Sequence, residues 1–320
     1  MGNLIGIDIG GTKTAVLLGE QDGGSLRVLK RMAFPTETAL GPQYAINKIL
    51  GLVQELSAEC GSIEGIGVSC GGPLDSRRGL ILSPPNLPGW DGIPIVKLLE
   101  DRFHAPAYLQ NDANACALAE WRWGAAKGTR NAVFLTFGTG MGAGLILDGR
   151  LYSGTNDMAG EAGHIRLAED GPVGYGKAGS FEGFCSGGGI ARLARAMAEE
   201  ALARSEPVTF CASPEELELV DARAVAEAAR RGDRLAQDVF RTSGRYLGRG
   251  LSVLIDILNP EVVVIGSIFA RSGDLLWPEA QRVIAEESLG LSASVCRVVP
   301  AQLGEAIGDM AALAVAATGA

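Results

Sequence analysis

Two glycine-rich turns stand out in this sequence, because a short apolar segment precedes and follows each of them. The first reads D-I-G-G-T-K at residues 8–13, and the second reads G-T-G-M-G at residues 138–142. Adjacent glycines let backbone N–H groups approach a phosphate closely, and Thr12 and Lys13 add a hydroxyl and a cation. Asp8 suits Mg²⁺ binding through water, because magnesium dehydrates reluctantly. Each turn alone is also typical of a plain hairpin, but two copies favour phosphate binding.

A candidate base lies in N-D-A-N at residues 111–114, where a predicted strand passes into a predicted helix. Asp112 has two interpretations here. Aspartate often caps a helix N-terminus, and a kinase aspartate accepts the proton of an attacking hydroxyl. Asn111 offers both a donor and an acceptor, which suits a sugar hydroxyl. The tetrapeptide by itself favours the cap and leaves the base as the alternative.

Two carboxylates and an imidazole form a third candidate group, which consists of Glu161, His164 and Glu182. The Glu-x-x-His spacing of the first two also occurs in di-iron sites, but those need a second copy and further carboxylates. The other histidine of the chain, His104, has no such partner. A cup of mixed donors and acceptors is what a polyhydroxylated ligand needs, so we interpret this group as part of a sugar site.

The elements that must position these residues fall into two similar halves. The pattern of strand, glycine turn and strand occurs at 4–20 and again at 132–147. A repeated unit of this kind predicts two homologous lobes with one ligand cleft between them. The remaining predicted strands are 26–34, 64–70, 106–110, 150–152 and 261–266. The predicted helices are 42–58, 94–104, 111–123, 188–204, 214–230, 233–257, 275–288 and 305–318, and the proline-rich segment 83–94 is predicted to be loop throughout.

Length and composition agree with two α/β lobes. The chain has 320 residues, of which 47% are apolar, and this is enough for two buried sheets. A net charge of −9 argues against nucleic acid or an anionic membrane as a partner. No long apolar stretch suits a membrane span, and the N-terminus does not have the pattern of a signal peptide. The six cysteines include no C-x-x-C pair, so we expect a cytoplasmic protein with free thiols.

Together these residues resemble the ROK family of sugar kinases and repressors, within the actin-like ATPase superfamily. The resemblance covers nearly the whole chain and depends on seven motifs in order: D-I-G-G-T-K at 8–13, P-N-L-P-G-W at 85–90, N-D-A-N at 111–114, G-T-G-M-G at 138–142, A-G-E-A-G-H at 159–164, V-I-G at 264–266 and L-G-E-A-I-G at 303–308. It implies a two-lobed α/β fold, actin-like and ribonuclease H-like, with duplicated mixed β-sheets and flanking helices. The implied small lobe is 1–112 with a final helix at about 304–320, and the larger lobe is 113–303.

The resemblance also implies roles for the candidate residues. The reaction would be transfer of the γ-phosphoryl group of MgATP to a sugar hydroxyl, typically the 6-OH, with Asp112 as general base and Asp8 bound to Mg²⁺ through water. The positions that match the family's sugar site are Gly72, Asn86, Asn111, Glu161, His164 and Glu182. The positions that match its ATP site are Asp8, Gly10, Gly11, Thr12, Lys13, Gly138, Thr139, Gly140 and Gly266.

One departure from the family concerns zinc. Many members bind a structural zinc ion with a histidine and the frame C-x-C-G-x-x-G-C-x-E. In this chain the three cysteine positions of the frame hold Val173, Tyr175 and Ser180. Because a tetrahedral zinc site needs four ligands, we predict no structural zinc. We expect packing through Tyr175 and Phe181 to hold the loop, which leaves His164 to the sugar.

Three functions are compatible with these residues. The first is a kinase of glucose, another hexose or an N-acetylhexosamine, and the choice depends on the shape of segments 72–90 and 155–160. The second is a non-catalytic sugar-sensing or regulatory protein, which the intact phosphate turns and Asp112 disfavour. The third is an ATPase of the Hsp70 or actin kind, in which the sugar cup would have no purpose. The family's repressors carry a DNA-binding domain before the first glycine turn, and we expect none here. Family resemblance further implies a homodimer.

Overall fold

The computed structural model describes residues 2–320 and contains two five-stranded sheets with surrounding helices. The strands are β1 (Gly2–Ile9), β2 (Lys13–Asp22), β3 (Ser25–Pro35), β4 (Ile63–Cys70), β5 (Leu74–Asp75), β6 (Leu80–Leu82), β7 (Asp91–Ile93), β8 (Ala107–Asn111), β9 (Ala132–Leu135), β10 (Ala143–Leu147), β11 (Arg150–Leu151), β12 (Val173–Gly174), β13 (Lys177–Ala178), β14 (Val262–Ile265) and β15 (Arg297–Pro300). The α-helices are α1 (Pro42–Ala58), α2 (Ile95–Phe103), α3 (Asp112–Trp123), α4 (Phe181–Phe184), α5 (Gly187–Ala203), α6 (Ala222–Arg230), α7 (Arg234–Leu258), α8 (Ile268–Glu287), α9 (Gly290–Val295) and α10 (Ile307–Thr318).

Contacts between Cα atoms divide the chain into two compact units. The first unit consists of the residues up to Phe134, together with Gly144–Gly160 and Gln302–Ala320. The second unit consists of Leu135–Ala143 and Glu161–Ala301. The lobe boundary that the sequence places at residue 112 stays a prediction. Within residues 2–320, no helix combines the length and the apolarity that a membrane crossing requires.

The first sheet has the order β3-β2-β1-β4-β8, in which β1, β4 and β8 run parallel. Alternate residues of β1 face opposite sides, as the pleat requires. Ile5 and Ile7 belong to the core that α1 and α2 complete, whereas the backbone of Gly6 approaches Leu313 of α10 on the other side. Because both faces of β1 are covered, the strand is almost continuously apolar.

The second sheet has the order β11-β10-β9-β14-β15, with β10 and β11 antiparallel and β14 and β15 parallel. In both sheets, three strands that follow one another along the chain lie side by side, and two later strands extend the sheet beyond the first of them. The duplication that the repeated strand–turn–strand pattern predicts is therefore confirmed.

Three sequence predictions of local structure are wrong. The helix predicted over 214–230 is a 3₁₀ helix at Pro214–Leu219 followed by α6, which begins because Asp221 caps it by accepting a 2.7 Å bond from Ala224 N–H. The helix predicted to begin at 275 begins at Ile268, and its irregular backbone at Ser272 explains why the pattern hides its start. The segment predicted to be loop over 83–94 contains β7, which pairs with β6 because its prolines lie outside the paired residues.

Candidate active site

The first group of predicted site residues lies at the carboxyl edge of the first sheet. Ile9 at the end of β1 pairs with Cys70 at the end of β4, and Cys70 pairs with Asn111 at the end of β8. This register brings Asp8 and Asp112 to the same edge, where their carboxylates interact electrostatically. Ligands of α/β proteins usually bind at the carboxyl ends of parallel strands, so this edge is a candidate site.

The glycine turn between β1 and β2 is held by a threonine that the sequence analysis missed. Gly10 N–H donates to Lys13 O at 3.1 Å, which closes the turn. The buried Thr36 then donates twice to the turn, from its hydroxyl to Gly10 O at 2.6 Å and from its N–H to Thr12 O at 3.0 Å. Thr36 follows directly after β3, and only the pairing of β3 with β2 reveals its role.

Close backbone approaches bring Asn86 and Asn111 to this edge. A Cβ on Gly11 would lie 2.5 Å from Asn86 O, so only glycine fits there. A Cβ on Gly72 would lie 3.2 Å from Asn111 Nδ2. Asn86 and Asn111, which the sequence analysis assigned to a sugar, therefore lie beside Gly11 and Gly72 respectively.

The capping role at α3 belongs to Asn111. Asn111 Oδ1 accepts a 2.9 Å hydrogen bond from Ala113 N–H, and Asn111 has the extended backbone of an N-cap residue. The cap interpretation of Asp112 is therefore wrong, because Asp112 is the first residue of the helix itself. Ala113 N–H also lies 2.8 Å from Asp112 Oδ1. Because Asn111 caps α3, Asp112 is not needed as the cap and can act as a base.

The two carboxyl groups at this edge are both shifted toward the protonated form. Burial, and then the charges of Asp112 and Asp309, raise the pKa of Asp8 from 3.8 to about 6, although Arg31 and Lys13 oppose the shift. Asp112 is an exposed residue, but its carboxylate loses part of its hydration in the fold. This loss of hydration raises the pKa of Asp112 above 3.8, although hydrogen bonds from backbone N–H groups oppose the shift. A raised pKa suits a general base.

This shift predicts the pH dependence of turnover. If Asp112 accepts the proton of the substrate, only its ionised form is active, so kcat/KM for the sugar should rise about tenfold per pH unit below its pKa and level off above it. The midpoint should lie above 3.8, the ordinary value. Steady-state rates at fixed MgATP across pH 4.5–9 measure this, and the same limb in Asp112→Asn would assign the titration to another group.

The second glycine turn contacts the predicted sugar-binding residues of its own unit. Met141 N–H donates to Glu182 Oε2 at 3.0 Å, and a Cβ on Gly140 would lie 2.8 Å from the same oxygen. Gly163, between Glu161 and His164, packs so closely that a Cβ there would lie 2.1 Å from Met141 O. Glu182 therefore orients the turn that is predicted to bind phosphate.

A cavity of about 950 Å³ opens beside this turn. Its lining includes Gly138 and Thr139 of the turn, Gly187 and Gly188 at the start of α5, and Ser267 before α8. Helix N-termini present unpaired N–H groups and the positive end of the helix dipole, which favour phosphate. Gly187 N–H already donates to Gly138 O at 2.8 Å. The volume and the lining suit a nucleotide.

Comparison with known proteins agrees with this arrangement. The ROK family model matches residues 4–318. The chain belongs to the ROK family. A glucokinase of Streptomyces coelicolor is 32% identical over 311 residues, which are 96% of this chain and 95% of that protein. An N-acetylmannosamine kinase of Shigella flexneri is 32% identical over 265 residues, which are 82% of each protein.

A solved structure gives the same result for the fold. The ROK family glucokinase of Streptomyces griseus, crystallised in complex with glucose and AMPPNP, has a TM-score of 0.78 at 30% identity. The alignment covers 99% of this chain and 100% of that chain. The predicted two-lobed actin-like ATPase fold is therefore confirmed.

The loop of this ROK protein that replaces a zinc frame is held by hydrogen bonds and one buried ring. Lys177 Nζ donates to His164 O at 2.7 Å, and Ser180 caps α4 by accepting a bond from Gly183 N–H. Phe181 is fully buried, as expected. Tyr175 is 74% exposed, so the prediction that it packs within the loop is wrong; its ring contacts that of His164 edge-on instead. Among residues 2–320 no group of three or more His, Cys, Asp or Glu side chains is arranged to hold a metal ion.

Segment 152–160 directly precedes Glu161, and hydrogen bonds to Asp157 hold it within the first unit. The Asp157 carboxylate accepts two hydrogen bonds from Ser76, one from its N–H at 2.8 Å and one from its hydroxyl at 2.9 Å. Asp157 has a φ of 60°, a conformation that is uncommon for residues other than glycine. The two bonds join the two segments on which the choice of sugar was predicted to depend.

Proposed function

We propose that this protein is a sugar kinase that transfers the γ-phosphoryl group of MgATP to the 6-hydroxyl of a hexose or an N-acetylhexosamine. The observation that carries the proposal is the position of Asp112 at the carboxyl edge of the first sheet, released from capping by Asn111 and with a raised pKa. A sensor that only binds a sugar needs no such base. The glucokinase and N-acetylmannosamine kinase relatives support the proposal.

In this mechanism, Asp112 accepts the proton of the attacking hydroxyl as that oxygen bonds to the γ-phosphorus, while the bond between the γ-phosphorus and the β,γ-bridging oxygen breaks and ADP leaves. The amide groups of Asn86 and Asn111 would orient the sugar beside the base, and sugar binding by Glu161, His164 and Glu182 stays a prediction from the sequence. Positioning of the two reactants accounts for much of the rate acceleration, because phosphoryl transfer requires little covalent catalysis by the protein.

Different residues would bind the nucleotide and its metal ion. The cavity beside Gly138 and Thr139 would take the nucleotide of MgATP, and phosphate binding by the first glycine turn, with Thr12 and Lys13, stays a prediction from the sequence. Asp8 fits Mg²⁺, because magnesium often keeps several waters and uses one or two carboxylates with substrate phosphates. A bound Mg²⁺ would neutralise charge on the phosphates. The homodimer that the family resemblance implies stays a prediction.

The proposal is tested by a coupled assay of ADP release with MgATP across a panel of hexoses and N-acetylhexosamines. Turnover that depends strictly on one class of sugar supports the kinase. ADP release that does not depend on sugar would favour an ATPase of the Hsp70 or actin kind. No turnover with any member of the panel, together with sugar binding measured by calorimetry, would favour the non-catalytic sensor.

The bonds between Ser76 and Asp157 give a prediction for sugar affinity. Because they fix the segment before Glu161, Ser76→Ala and Asp157→Gly should each raise KM for the sugar about fivefold to tenfold, as expected for lost hydrogen bonds to a charged group. KM for ATP should change less than twofold. Asp148→Gly is the matched control, because Asp148 also has positive φ but its carboxylate contacts Arg130 instead. An unchanged KM for the sugar in both variants would contradict this role.

A further inference from the structure

Ser267 occupies a strained position in the lining of the nucleotide cavity. It lies between β14 and α8 with φ 49° and ψ −109°, outside the conformations that residues with side chains favour. Glycine adopts positive φ readily, whereas a side chain there costs free energy that the rest of the fold must offset. Strain of this kind often occurs at functional positions.

The hydroxyl of Ser267 does not serve the helix that follows it. A serine before a helix usually accepts a hydrogen bond from an N–H of the first turn, but Ser267 makes no such bond. Ile268 N–H donates instead to Phe137 O at 2.9 Å, and Phe269 N–H donates to Gly266 O at 3.2 Å. Removal of the hydroxyl would therefore cost the helix no cap.

The hydroxyl lies close to the second glycine turn. Ser267 and Gly138 both line the cavity, and a Cβ on Gly138 would lie 3.8 Å from Ser267 Oγ. Gly138 is the first residue of the turn that binds phosphate in the proposed function. A serine hydroxyl supplies one donor, and a hydrogen bond to an ionised oxygen is stronger than one between neutral groups.

We propose that Ser267 Oγ donates a hydrogen bond to a phosphate oxygen of the bound nucleotide, and that this contact explains a serine where the backbone suits glycine. The proposal rests on the nucleotide site proposed above and adds a specific side-chain contact to it. It commits to the phosphates rather than to the ribose or the base, because the neighbour of the hydroxyl is the glycine turn.

Two variants separate the hydroxyl from the strain. Ser267→Ala removes the hydroxyl and keeps the side chain, whereas Ser267→Gly removes both the hydroxyl and the strain. The matched control is Ser205→Gly, since Ser205 is an exposed serine of the second unit with φ 57° that lies outside the cavity lining. Affinities for ADP and for adenosine are measured by calorimetry on each full-length protein, and Tm is measured without ligand.

We expect both Ser267 variants to bind ADP about tenfold more weakly than the wild type, as for a lost bond to a charged group, and to bind adenosine with unchanged affinity. Both glycine variants should gain about 2 °C in Tm, and Ser205→Gly should bind ADP like the wild type. A Ser267→Gly variant that is more stable but weaker in ADP binding cannot be explained by a structural role alone.

The other outcomes overturn the inference in distinguishable ways. Unchanged affinity for ADP in both Ser267 variants removes the contact, whether or not the protein phosphorylates a sugar. An equal loss for ADP and adenosine assigns the hydroxyl to the nucleoside and contradicts the phosphate assignment. A wild-type protein that binds neither compound removes the nucleotide site of the proposed function, and the inference with it. If the Ser267 variants lose affinity for ADP but not for adenosine, and the wild type phosphorylates no sugar, the contact is supported and only the kinase proposal is wrong.

Discussion

Asp112→Asn should lose about 10³-fold in kcat with the sugar that the wild type phosphorylates, while KM for ATP stays within about twofold. A positioned general base typically contributes 10²–10⁴-fold, and asparagine keeps the shape and the acceptor oxygen but cannot take a proton. The measurement is the coupled ADP-release assay at saturating substrates. Asp101→Asn, which changes an exposed aspartate paired with Lys97, should keep wild-type activity. Asp112→Asn with more than a tenth of that activity would remove Asp112 as the base.

The stability of the same variant separates catalysis from folding. Since the pKa of Asp112 is raised in the fold, the folded state holds the proton more tightly than the unfolded state does. Ionisation therefore lowers the stability of the wild type as the pH rises from 3.8 through the raised pKa. Asparagine does not ionise, so the Tm of Asp112→Asn at pH 8 should equal or exceed that of the wild type, and the difference should shrink toward pH 4. A large fall in Tm at pH 8 would attribute the lost activity to unfolding.

Much of the first unit follows from local patterns in the sequence. Apolar residues on one face of a helix predict α1, which occupies 42–58 as expected. The first glycine turn is also a local feature, because Gly10 and Gly11 directly follow the buried strand β1. The register of β1, β4 and β8 does not follow from the pattern, because both faces of β1 are covered and its apolar residues do not show which face each one takes. Asp8 and Asp112 lie near the ends of predicted strands, but only the observed strand pairing shows that they share one edge.

The residues that sequence analysis missed depend on contacts between distant segments. Thr36 supports a turn that lies more than twenty residues earlier, and Asp157 is fastened by Ser76 at a separation of eighty-one residues. The strain at Ser267 is equally hidden, because serine before a helix usually predicts an ordinary cap. Propensity describes a residue and its near neighbours, whereas these roles arise from the partner that the fold brings to it.

Gly67→Ala should strongly destabilise the protein. Gly67 lies in β4, where α10 crosses the sheet so closely that a Cβ would lie 2.3 Å from both Ala312 O and Ala316 N. Backbone atoms of a helix cannot move aside as a flexible side chain can, so the helix must lift from the sheet. Overpacking of a core typically costs 1–3 kcal/mol and sometimes more, and we expect about 3 kcal/mol, or a fall of about 5 °C in Tm.

α10 also contributes to the surroundings of Asp8, so Gly67→Ala should reduce activity as well as stability. α10 carries Asp309, whose two carboxylate oxygens share the Arg31 Nε–H at 2.9 and 3.0 Å and whose charge raises the pKa of Asp8. A lifted helix would disturb the surroundings of Asp8, and kcat should fall even at temperatures where the variant is folded. Gly51→Ala is the matched control: in the middle of α1, a Cβ at this position would have no atom within 4 Å apart from its chain neighbours and the nearby backbone of its own helix, so it should stabilise the protein by about 0.5–1 kcal/mol. If Gly67→Ala melts within about 1 °C of the wild type, the close packing of β4 on α10 is not what holds this helix in place.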